Sequence, residues 1–256
     1  MSGTRRAWRA ARVGAGFALA VAMSSAAEPA AAPGRPASAA AAAPGRTAPA
    51  PAAASANVDG PPADLLRGKP VRGEGVKRVF ARLALEKMAC TFREEKHVAL
   101  LARPLRSSGT LVFQRGRGVV RVTAKPRAEK LVVTATSLRR TKGARVEEVP
   151  LSKSRDLKAF ALILPTLLRG DREELERSFE LALFGDPQGW WALTFTPKAE
   201  SLRGMVRRVA VIGHEGVLSR LEVAEVSGDT TETSLQDIRK DQEVSDADVA
   251  AAFGAP

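Results

Sequence analysis

The chain has 256 residues, with 40 Lys or Arg against 28 Asp or Glu, a net charge of +12, one Cys, two His and no Tyr. A single cysteine allows no internal disulfide and no CxxC redox or metal site. The few aromatics do not alternate with the basic residues as a base-stacking surface would, so the charge does not read as nucleic-acid binding.

Arg5, Arg6, Arg9 and Arg12 are followed by an apolar stretch from Val13 to Met23 and by small residues Ser24 to Ala27. This order of zones predicts a signal peptide over 1–27, cleaved after Ala27. The apolar stretch is about half of the roughly 20 residues that span a bilayer, which disfavours a permanent anchor. The Arg5-Arg6 pair before Trp8 leaves both ordinary and twin-arginine export open. Residues 28–63 are almost wholly Ala, Pro, Gly and Ser and predict a disordered linker, since they cannot bury enough apolar surface to offset chain entropy. Residues 64–256 then form one folded domain whose basic excess suits anionic lipid headgroups or an acidic membrane surface.

Within that domain, Val76, Val79, Phe80, Leu83 and Met88 recur at helical spacing and predict an amphipathic helix over 75–89. From Cys90 the period becomes two, and strands are expected over 90–100, 108–115, 118–124, 129–138 and 144–150, separated by Gly and Pro breakers. In the second of these Leu111 and Phe113 share a face, and in the third Val120 and Val122; the arginines then project to the opposite, solvated face. Ser154 can cap a helix over 155–169 with an apolar stripe of Leu157, Phe160, Ala161, Leu164, Leu167 and Leu168, broken near Pro165. An apolar, broken helix between two runs of strands is a candidate lid, and equally a plug for the end of a core. Strands resume with "RSFELALFG" and "WWALTFTPK", where Leu181, Trp191, Leu193 and Phe195 point one way, and three more follow to "TTETSLQDIR". About ten antiparallel strands and two or three helices make a mainly β (α+β) fold: a curved antiparallel sheet forming an open half-barrel whose apolar concave side the helices cover.

No GxSxG, HExxH or phosphate loop is present, so no enzyme activity, catalytic residue, metal or cofactor is expected. Cys90 and His97 are the one conceivable nucleophile–base pair, whose geometry only a structure can supply.

The order of "PLRSSGTLVFQRGRGVV", the strand end "LTFTPK" and the meander "RRVAVIGHEGVLSRLEVAEVSGD", with "GDTTETSL" and "VSDADVAAAF" after it, resembles the LolA family of periplasmic carriers of lipid-anchored proteins, in particular its LolA-like branch. The resemblance covers most of 75–253. It implies a half-barrel closed by helices around a cavity that shields acyl chains from water. Exposing a 16-carbon chain costs on the order of 12 kcal/mol, more than a flat patch could recover. The resemblance gives Arg115 the place of an arginine tied to the lid and to cargo hand-over, with Arg117 and Arg121 as neighbours in sequence. It also implies an inner-membrane exporter and an outer-membrane acceptor as partners. The segment "VVRVTAKPRAEKLVVTATSLRR" lacks the aromatics and Asp-Gly turn typical of the family, which widens the cargo from lipoproteins to phospholipids, glycolipids or acylated pigment precursors.

The leading expectation is therefore a monomeric periplasmic carrier whose cavity is lined by Leu111, Phe113, Val120, Val122, Phe160, Leu164, Leu168, Leu181, Trp191, Leu193 and Phe195. The alternative is a periplasmic sensor or adaptor that uses the same fold to bind a membrane protein.

Overall fold

The computed structural model describes residues 60–254 except Arg72. The expected signal peptide and nearly all of the expected linker lie outside them. After a short 3-10 turn at Leu65–Arg67, helix α1 (Glu74–Leu83) buries Val76, Val79, Phe80 and Leu83 along one face. It ends earlier than the periodicity implies. The N–H of Leu85 is taken by the carbonyl of Leu168, and Met88 already belongs to strand β1 (Lys87–His97).

A meander follows through β2 (Leu105–Gln114), β3 (Gly118–Lys125), β4 (Glu129–Val133), β5 (Ser137–Lys142) and β6 (Arg145–Pro150). The expected single strand over 129–138 is two strands, because the hydroxyl of Thr134 accepts the backbone N–H groups of Thr136 and Ser137 and makes a turn without Gly or Pro. The chain then leaves the sheet through α2 (Arg155–Ala161), α3 (Ile163–Leu168) and α4 (Arg172–Ser178). Ser154 caps α2 as expected, accepting the N–H of Leu157. The break falls at Leu162, three residues before Pro165, so the proline sits in the first turn of α3, where a missing N–H costs little.

A second meander, β7 (Phe179–Gly185), β8 (Trp190–Pro197), β9 (Val206–His214), β10 (Val217–Glu225) and β11 (Thr230–Lys240), returns to pair with β1. A one-turn helix, α5 (Glu200–Arg203), sits between β8 and β9, and α6 (Asp246–Phe253) follows β11 behind a capping box of Ser245 and Asp248.

All eleven strands form one antiparallel sheet in the order β6-β5-β4-β3-β2-β1-β11-β10-β9-β8-β7. It is unclosed, with β6 and β7 as its edges. Leu138 of β5 and Val209 of β9 nevertheless line one cavity, although a flat sheet would hold them on the order of 30 Å apart. The sheet therefore curls, and its inner face carries the main core, including Phe80, Met88, Phe113, Phe179, Trp191, Leu193 and Phe195.

A second buried face lies outside. Ala89 and Val112 pack under α6 against Val244 and Val249, and the Arg117 guanidinium lies 4.6 Å from the centre of the Phe253 ring. The first residue of β3, Gly118, has φ +117°, and a Cβ there would sit 2.0 Å from the carbonyl oxygen of Val133. We expect Gly118→Ala to destabilise the protein by about 2 kcal/mol or more in equilibrium denaturation; a variant as stable as the parent would mean that the strand start relaxes freely.

Candidate functional site: an apolar cavity with a polar end

Strand register decides which side chains meet inside the curl. Met88, Cys90 and Phe92 of β1 stand opposite Phe113, Leu111 and Gly109 of β2, and these stand opposite Val119, Arg121 and Thr123 of β3. The inward set of β3 is thus Val119, Arg121 and Thr123, while Val120 and Val122 point to the outer, α6-covered side. This reverses the sequence expectation for β3. Both phases of "VVRVT" look apolar, and the strongly apolar one serves the second core beneath α6 rather than the cavity.

Between the inner face and α2–α3 lies a cavity of about 110 Å³. Phe92, Leu111, Val119, Leu131, Val133 and Leu138 line it from one meander, Val209, Leu221 and Val223 from the other, and Phe160, Ala161, Ile163, Leu164 and Pro165 from the helices. Of the residues expected to line it, Leu111, Phe160 and Leu164 do so. Phe113, Leu168, Trp191, Leu193 and Phe195 are buried in the adjoining core, and Leu181 packs against that core half-buried. Sequence reasoning did not reach Leu131, Val133 and Leu138, because the strand over 129–138 was not divided, nor Val209, Leu221 and Val223, whose meander offered no reason to prefer one face.

Arg121 and Thr233 give the cavity a polar end. The Arg121 guanidinium pairs with the Glu94 carboxylate at 2.9 Å, donates to Ser107 Oγ at 3.2 Å, and lies 4.2 Å from the centre of the Phe92 ring. Glu94, whose side chain is 1% exposed, also accepts from Ser107 Oγ at 3.0 Å and from Thr233 Oγ1 at 3.1 Å. Lys96 pairs with Glu225 at 3.2 Å, and Arg140 with Glu129 at 2.8 Å, both mostly buried on the same inner side. Each charge is matched by an opposite one, the condition under which burying ions is tolerable.

Arg115 lies at the other end, just past β2. Its Nε pairs with Glu86 at 2.6 Å, and its Nη1 donates at 3.3 Å to the carbonyl of Arg169, which caps α3. Cation and helix C-terminus attract, so this contact ties the sheet to the end of the α2–α3 segment.

Cys90 and His97 stand on one strand, separated by roughly 20 Å along it and facing opposite sides, so they form no nucleophile–base pair. Burial first, and the nearby Asp237 carboxylate second, push the Cys90 thiol up to about 12 from its ordinary 9.0. Among the described residues no group of three or more His, Cys, Asp or Glu could hold a metal ion, and no helix is long and apolar enough to cross a membrane.

Residues 70–254 match the family model described as "Outer membrane lipoprotein carrier protein LolA-like". The chain belongs to this LolA-like family. It is a family of carriers, not of enzymes, and the unclosed antiparallel sheet with its covering helices is a LolA-like fold. Among solved structures, a LolA superfamily protein of Nitrosomonas europaea aligns over 69% of this chain and 96% of its own at 10% identity, with a TM-score of 0.38. The MucA/MucB complex of Pseudomonas aeruginosa aligns over 68% of this chain and 58% of that one, at 10% identity and a TM-score of 0.39. LprF of Mycobacterium bovis aligns over 67% and 95%, at 15% identity and a TM-score of 0.33. No curated protein matches the chain in sequence.

Two outcomes follow from the buried groups. Glu94→Gln removes the carboxylate charge that Arg121 pairs with at 2.9 Å and should cost about 3 kcal/mol or more in denaturant titrations, whereas Glu94→Leu combined with Arg121→Met should recover much of that loss; equal losses would deny the pairing. The Cys90 thiol should resist iodoacetamide at neutral pH until the protein unfolds, and rapid native-state alkylation would contradict its burial.

Proposed function

We propose that this protein is a periplasmic carrier that takes acyl chains of a lipid or lipid-anchored protein between its inner sheet face and the α2–α3 segment and moves them between inner and outer membrane. The observation that carries this reading is the cavity itself, walled by apolar side chains from seven strands and two helices inside a family of lipoprotein carriers. Its volume, about 110 Å³, is well below the roughly 300–1,000 Å³ of ordinary small-molecule sites. A long acyl chain therefore needs the helical segment to swing away.

The two halves of that segment are held unequally. None of the residues of α2 is fully buried, whereas Ile163, Pro165, Thr166, Leu167 and Leu168 of α3 are. Local opening takes the path of least buried apolar contact, so α2 lifts about the break at Leu162 while α3 stays docked. Arg115, bonded to the carbonyl of Arg169, is then the latch on the docked half, and changing it alters cargo release more than cargo capacity. Exporter and acceptor in the two membranes would supply and remove the cargo of a monomeric carrier.

The test is native mass spectrometry of protein purified from periplasm, followed by organic extraction. An adduct that extraction removes and identifies as an acylated molecule is expected, reduced about tenfold or more in a Leu164→Glu variant because a carboxylate on the half-buried cavity wall opposes an apolar ligand. A mass without adduct, unchanged by incubation with lipid vesicles, would refute the carrier and favour an adaptor that binds a membrane protein.

A further inference from the structure

The loop between β1 and β2 carries two consecutive leucines that the described residues leave uncovered: Leu100 is 94% exposed and Leu101 50%. A solitary exposed leucine is ordinary, but a pair at a loop tip has no packing reason to be there. The loop is also not loose. The N–H of Ala99 donates to Asp229 Oδ1 at 3.0 Å, and the N–H of Leu101 to the carbonyl of Val98, so the tip is braced against the β10–β11 turn. That turn brings Val226, 47% exposed, to the same end of the sheet.

The surroundings are basic. Arg103 and Arg106 follow the leucines, and β2–β3 register sets Lys125 against Ser108, so Lys125 and Arg127 in the β3–β4 turn flank the loop; all four are exposed. The acids nearby are engaged: Glu95 pairs with Arg106 at 2.8 Å, and Asp229 holds Ala99. Apolar side chains at the tip with cations set behind them match the layering of an anionic bilayer surface, where hydrocarbon lies below a negatively charged headgroup plane. A protein groove would demand no such stratification.

We propose that the β1–β2 loop is a membrane-docking element: Leu100 and Leu101 insert into the headgroup–acyl boundary of an anionic lipid surface, with Arg103, Lys125 and Arg127 paired to lipid phosphates while Arg106 offsets Glu95. This end of the sheet is opposite to the one where Arg115 meets α3, so the protein can rest on a membrane without covering that contact. The inference does not depend on what the cavity carries.

Co-sedimentation of the purified protein with protein-free vesicles tests it. Vesicles containing about one-quarter phosphatidylglycerol should retain the protein, pure phosphatidylcholine vesicles should retain much less, and raising salt should release it. Leu100→Ser combined with Leu101→Ser should lower retention about tenfold while circular dichroism stays unchanged. Failure of the parent protein to bind anionic vesicles, or undiminished binding of the double variant, would overturn the proposal. Binding that requires membrane proteins in the vesicles would overturn it as well, and would assign the leucines to a protein partner. Because the readout is partitioning and not bound lipid, it can fail while the carrier reading stands.

Discussion

The pairing of β1 with β11 is the constraint on which the architecture depends. It is the one junction in the sheet between strands distant in sequence, and it places the two ends of the domain's strand order at the centre. Everything between must then run outward through one meander to β6 and inward through the other from β7. The two edges are consecutive in the chain, so the 28 residues or so joining them have to cross from one edge to the other. In a curled sheet the short route crosses the concave face. The helical cover is thus a consequence of strand order, and only its apolar composition makes it a wall.

Much of this was legible in sequence because hydrophobic alternation in β1, β2, β7 and β8 is unambiguous, and the α2–α3 stripe is wide. What failed has physical causes. In β3 both phases are apolar because both faces of the sheet are buried there, one against the cavity and one beneath α6, so alternation carries no information about side and gives no sign that Arg121 faces inward. Helix α4 escaped notice because it buries a single residue, Leu175, and is held by the Asp171 cap and by ion pairs of Arg172 with Glu176 and Arg177 with Glu174. The β4–β5 turn escaped because a threonine hydroxyl does there what Gly or Pro does elsewhere.

The site divides in the same way. Leu111, Phe160 and Leu164 were readable as cavity wall, whereas the distinction between wall and adjoining core for Phe113, Trp191, Leu193 and Phe195 was not, since both environments select the same side chains. Only curvature separates them, and curvature is not encoded in any one strand. The polar end was invisible for another reason. Glu94 and Arg121 come from strands that are not neighbours, with β2 between them, and their union at 2.9 Å needs the register of three strands at once.

That polar end bears on how a cavity can be apolar without running through the molecule. An apolar tube open at both ends would admit water wherever the cover lifts. Here the ladder Lys96–Glu225, Glu94–Arg121 and Glu129–Arg140 spans the inner face across both meanders and, with its charges paired, replaces apolar wall by polar wall at that end. Replacing these pairs with leucines would lengthen the apolar floor and add burial, at the cost of the boundary. The pairs therefore mark where the apolar floor ends: it is confined to the stretch beneath α2 and α3, and the basic end near Leu100 lies beyond it.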